Sequence, residues 1–167
     1  MRLLLPIAVL LSLLALVLAA EKNVKMVSRE EMDQLAKEAD DQITFLTPET
    51  FAPAVEKGVW LVFYGARWCK YCKRLTPRWL KLQRKVADVK PDDFSVAKVD
   101  CTDESDFCSK NHVEAYPTIY LYNKGKLVEE YTGEVDSKSL IRYALDKAEY
   151  FAAMEMYRRS KNRHEEL

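Results

Sequence analysis

Only two histidines and four glycines occur in the 167 residues, and no asparagine stands in an N-x-S/T sequon. Asn23, Asn111, Asn123 and Asn162 all lack the hydroxyl residue two places on, so no N-linked glycan is expected. Neither His112 nor His164 falls at the spacing of a zinc knuckle, and no metal is expected. The 26 basic residues are matched by 26 acidic ones, with no Lys/Arg-rich block to neutralise phosphates. Nucleic-acid binding therefore has no electrostatic footprint. Glycine and proline are scarce and no internal period is visible, which excludes repeat arrays and low-complexity chains. What is present is hydrophobic: 49% of residues, enough for one compact domain with appendages.

Both ends carry address-like segments. Arg2 is followed by the uncharged run "LLLPIAVLLSLLALVLAA", the layout of a secretory signal peptide over residues 1–20, cleaved after Ala19 or Ala20. A membrane anchor is the competing reading, since roughly 18 apolar residues just span a bilayer. Pro6 and the alanine-rich close favour cleavage, leaving no anchor. The chain ends in "HEEL", which resembles the K-D-E-L and H-D-E-L signals that a retrieval receptor reads in the endoplasmic reticulum. Together the two ends place the protein in the lumen of that compartment, where disulfides are stable.

Residues 21–42 read as a helical lead-in. Ser28 and Glu31 form a candidate capping box, and Met32, Leu35, Ala36 and Ala39 share one face. A short strand is expected at Ile43–Leu46, then a helix opened by Thr47 and Pro48. "VWLVFY" (Val59–Tyr64) has the near-continuous β-branched and aromatic character of a strand buried on both faces. A long helix follows, with Trp79, Leu80, Leu82 and Val86 inward and a kink at Pro77. "FSVAKVD" is a second buried strand, "DESDFCSKNH" a short helix, and "NKGK" the turn of a hairpin. The last helix starts near Ser137. The order β-α-β-α-β-α-β-β-α predicts an α/β fold: a central mixed sheet with helices on both faces, over residues 43–150. Residues 151–167 form a C-terminal helical extension.

The stretch "GARWCKYCKRL" holds the chemistry. A single C-x-x-C suits a metal, a staple or a redox couple. The remaining cysteines, Cys101 and Cys108, offer no closed zinc spacing, and so short a loop constrains the unfolded chain little. As a redox couple the pair makes sense. Cys69 falls at the start of a helix, where free N–H groups and the dipole favour a thiolate. Cys72 lies one turn on, placed to attack a mixed disulfide on Cys69. Cys69 is thus the attacking thiol and Cys72 the more buried resolving thiol.

The motifs "FYGARWCKYCKRLTP" and "KVDCTDESDFCSKNHVEAYPTIYLY", in this order, resemble the protein disulfide isomerase family and its thioredoxin-like fold. The resemblance spans about residues 43–148 and implies a thiol–disulfide oxidoreductase. It needs no cofactor beyond the Cys69–Cys72 disulfide, and it acts on unfolded or misfolded secretory proteins. Glutathione or an upstream thiol oxidase would complete its cycle. It further implies that Pro117 is the cis-proline beside the active disulfide, leaving backbone groups near Tyr116 free for substrate. Trp68, Tyr71, Tyr116 and Pro117 would form the client surface. In some members of the family the positions of Cys101 and Cys108 carry a structural disulfide; reduced packing or a regulatory role is the alternative.

Three positions depart from the family pattern. Lys70-Tyr71 replaces the Gly-His of efficient oxidants, so Lys70 is the local positive charge. Phe63 stands where a buried acid normally serves the resolving thiol. Val135 replaces an arginine of the Tyr-x-Gly-x-Arg motif, and Arg67 is the candidate substitute. A slower resolving step is expected. The rival reading is a redox-weak client-binding or escort module.

Overall fold

The computed structural model describes residues 27–91 and 93–165, excepting the side chain of Glu165. The signal-peptide run and the final Glu166–Leu167 of "HEEL" lie outside the described residues. The described residues fall into two units, the first ending at Glu31 and the second beginning at Met32. In the described part of the first, Ser28 N–H donates to Glu31 Oε2 at 3.0 Å and Glu31 N–H to Ser28 Oγ at 3.1 Å. This reciprocal box opens helix α1 (Arg29–Asp40).

The second unit contains the sheet. Its helices are α1 from Met32 onward, α2 (Pro48–Val55), α3 (Lys70–Val89), α4 (Ser105–Lys110) and α5 (Ser137–Glu165). Its strands are β1 (Val59–Gly65), β2 (Phe94–Asp100), β3 (Thr118–Asn123) and β4 (Lys126–Glu130), in the spatial order β2-β1-β3-β4. β1 runs parallel to β2 and antiparallel to β3, and β3 to β4, so the sheet is mixed as expected. The β3–β4 turn places Lys124 and Gly125 at φ 49° and 79°, the positive pair a tight hairpin demands.

Alternation along β1 sorts its side chains between two cores. Leu61 and Phe63 pack with Leu75, Trp79 and Leu82 of α3 and Leu140 and Ala144 of α5. Val62 and Tyr64 pack on the other face with Phe51 and Val55 of α2, Val99, Tyr120 and Tyr122. Helices thus cover both faces. Among the described residues no helix is long and apolar enough to cross a membrane.

Two local expectations need correction. The strand at Ile43–Leu46 is reduced to one bridge, Phe45 beside Lys98. Thr44 spends its N–H on the Gln83 side chain at 2.8 Å rather than on a neighbouring strand. Leu35 is exposed, while Ala36 and Ala39 carry the buried face of α1. Helix α3 runs on through Pro77 as one long helix, with buried Leu75, Thr76, Trp79 and Leu80 on both sides of the missing donor.

Candidate functional site

β1 delivers the chain to the site. It ends at Gly65, whose position admits no side chain: a Cβ there would lie 2.7 Å from the Phe63 ring and 3.3 Å from Cys72 Sγ. Four residues later Cys69 is the N-cap of α3, and Cys72 N–H donates to its Sγ at 3.1 Å. No acidic residue occupies the first turn of α3. A thiolate on Cys69 would meet an N–H donor and a positive helix end with no carboxylate opposing them.

Cys69 and Cys72 are joined as a disulfide with Cα atoms 5.2 Å apart. The expected contrast in exposure is small: Cys69 is 6% accessible and Cys72 1%. Tyr116–Pro117 is the cis peptide, and the Tyr116 carbonyl oxygen lies 3.7 Å from Cys69 Sγ. Trp68 and Tyr71 are 69% and 67% exposed, and Trp68 meets Tyr116 edge-on with ring centres 5.8 Å apart. Trp68, Lys70 and Tyr71 therefore stand out from the surface beside a half-buried Tyr116–Pro117. Cys101, at the end of β2, is joined to Cys108 in α4 with Cα atoms 5.9 Å apart, both buried.

Arg67 does not direct its charge at the cysteine pair. Its guanidinium pairs with Asp100 at 3.3 Å and with Asp103, and its N–H donates to Thr102 Oγ1. These contacts tie the loop before Cys69 to the end of β2. Val135 is reached instead by Arg78 of α3, whose Nη1 donates to the Val135 carbonyl at 3.2 Å.

Two residues absent from the motif-based reading adjoin the site. Lys98 of β2 is only 2% accessible, and its Nζ lies 2.6 Å from Oδ1 of Asp40 at the end of α1. Lys98 is the register partner of Phe63 and stands 5.2 Å from that ring's centre. The available signal was the lysine itself, alone among apolar neighbours in "FSVAKVD". A buried charge requires a partner.

A family model described as Thioredoxin matches residues 42–146. The chain belongs to the thioredoxin family. Within that family its relatives are protein disulfide isomerases. It is 32% identical over 110 residues to "Protein disulfide-isomerase 5-1" of Arabidopsis thaliana, covering 65% of this chain and 74% of that protein. It is 33% identical over 124 residues to "Thioredoxin domain-containing protein 5 homolog" of Drosophila melanogaster, 74% of this chain but only 29% of that protein. Among solved structures it resembles the first two thioredoxin domains of Naumovozyma dairenensis Eps1p. That match has TM-score 0.60 and 27% identity, over 63% of this chain and 40% of that one. Human ERp44 form II matches at TM-score 0.60 and 27% identity, over 64% and 30% of the two chains. This member of the protein disulfide isomerase family carries the C-x-x-C disulfide of a thiol–disulfide oxidoreductase, and a redox disulfide of the thioredoxin type needs no added cofactor.

Proposed function

We propose that this protein makes, breaks or reshuffles disulfides in secretory proteins within the endoplasmic-reticulum lumen, through attack by Cys69 and resolution by Cys72. The observation that carries the reading is Cys69 Sγ at the N-cap of α3, receiving the Cys72 N–H at 3.1 Å. That donor stabilises a thiolate on Cys69 and keeps the second thiol one turn away, within reach of a mixed disulfide. Unfolded chains would be met over the exposed Trp68 and Tyr71 and the Tyr116–Pro117 backbone. The apolar N-terminal run and the terminal "HEEL", read by a retrieval receptor, support the lumenal address. Glutathione or an upstream thiol oxidase would reset the couple.

A second reading, a redox-weak escort that holds clients, is favoured by Phe63 and Val135 in place of the acid and the arginine. Trapping separates the two. Cys72→Ser, with Cys69 reduced, should accumulate mixed disulfides with unfolded clients that carry disulfides, Cys69 attacking and one client sulfur leaving as thiolate, and Cys69→Ser should accumulate none. Equal client binding by both variants, with no covalent adduct from either, favours the escort.

A further inference from the structure

We propose that Asp40, carried by α1, accepts and returns the Cys72 proton during thiol–disulfide exchange, in place of an acid on β1. The inference rests on the exchange reading above and deepens it. A cavity of about 590 Å³ is lined jointly by Cys72, Thr76, Lys98 and Asp40. Thr76 Oγ1 donates to the Cys72 carbonyl at 2.9 Å and lies 3.4 Å from Lys98 Nζ, which in turn holds Asp40. Hydroxyl, ammonium and carboxylate thus run in one chain from the turn of Cys72 to α1. Much of the lining is apolar, but these polar groups run along it and the space is large enough to admit water that could carry a proton between them.

The other charged groups facing the cavity are otherwise engaged or peripheral to this chain. Lys73 Nζ lies 2.9 Å from Asp33, and Arg67 holds Asp100 and Asp103. Lys37 and Asp41 face it from α1 and its end, and Glu104 from the loop before α4. Burial pushes the Asp40 carboxyl up from its ordinary value, and the Lys98 ammonium pulls it back only in part, with Asp100 and Asp41 adding to the rise. A carboxylate so raised is a better base than a solvated aspartate.

The step balances without another reactant. With a client sulfur bound to Cys69, the Cys72 thiol gives its proton toward Asp40, and its sulfur attacks Cys69 Sγ. The Cys69–Cys72 bond forms, the bond to the client sulfur breaks, and the electron pair leaves on that sulfur, which is protonated in turn. Client is reduced and the cysteine pair oxidised; the reverse sequence oxidises a client, with Asp40 returning the proton to Cys72.

The test measures glutathione release from a preformed Cys69–glutathione mixed disulfide, across pH, in the full chain. Asp40→Asn should slow release about a hundredfold near neutral pH. The gap should narrow as pH rises, because hydroxide then removes the thiol proton without help. The attack of Cys69 on oxidised glutathione, read in a Cys72→Ser background, should be unchanged, and Asp40→Glu should restore the profile. Release by Asp40→Asn that matches wild type at every pH, or that is slowed equally at every pH, overturns the role. Should Asp40→Asn not fold, the Asp40 carboxyl carbon is titrated by NMR in wild type. A midpoint that differs between dithiol and disulfide forms supports the coupling, and identical midpoints overturn it. A wild type that releases no glutathione removes the exchange reading itself, whereas a reactive wild type beside an equally reactive Asp40→Asn removes only the proton role.

Discussion

The hydroxyls of Tyr64 and Tyr122 meet at 2.8 Å across β1 and β3, inside the face that α2 covers. Burial holds both phenols neutral, with Tyr122 pushed up to about 12 and Tyr64 raised further. Each is the other's hydrogen-bond partner in an apolar setting. Tyr64→Phe should therefore cost about 1–3 kcal/mol by leaving the Tyr122 hydroxyl unsatisfied. The double variant with Tyr122→Phe should recover most of that loss. Urea melts of the three variants give the coupling; additive single losses would contradict it.

The Cys101–Cys108 bridge closes a short loop between β2 and α4. On chain entropy a loop of that size contributes about 2.5 kcal/mol. Replacing both cysteines by serine should lower the melting temperature by several degrees, about 2–4 °C for each kcal/mol. Exchange at Cys69–Cys72 should persist below the melt. Loss of exchange in a folded variant would give the second pair a redox role.

Glu129 of β4 receives Lys147 Nζ at 2.8 Å and the Tyr143 hydroxyl at 2.7 Å, both from α5. The Lys147 bond first, then the tyrosine, holds its carboxyl below the ordinary value of 4.5. A depressed folded pKa stabilises the fold above the unfolded value, and the benefit is lost as pH falls through the depressed one. Glu129→Gln should therefore flatten the acid limb of melting temperature against pH, below about pH 4.5, with little change in shape at neutrality. Glu129 is partly exposed, so the change is modest. An unaltered acid limb would assign the linkage to other carboxylates.

The sheet was readable because "VWLVFY" and "FSVAKVD" are too apolar to face water on either side, and "NKGK" supplies the positive-φ turn. The Ile43–Leu46 segment was not. Its pattern is strand-like, but whether the Thr44 N–H finds a strand or the Gln83 side chain depends on residues 39 positions apart. The same holds at the site. Cys69 and Cys72 announce themselves by spacing, and Tyr116–Pro117 by its motif. Arg67 looked like spare charge beside the pair, because its partners Asp100 and Asp103 arrive from another strand end. Lys98 and Asp40 stand 58 positions apart, and only folding makes them a pair. Phe63 reads as the loss of an acid until the structure puts Lys98 beside it and Asp40 beyond.

The thioredoxin match begins at residue 42, just past Asp40. The boundary that the family model draws around this domain thus leaves one end of its part-buried ion pair outside. A carboxylate built into a strand cannot be moved without touching the sheet; one borne on a leading helix can be replaced or repositioned while every strand keeps its pairing. In this protein the rate at which a disulfide closes would be a portable trait, set by a segment that precedes the thioredoxin match.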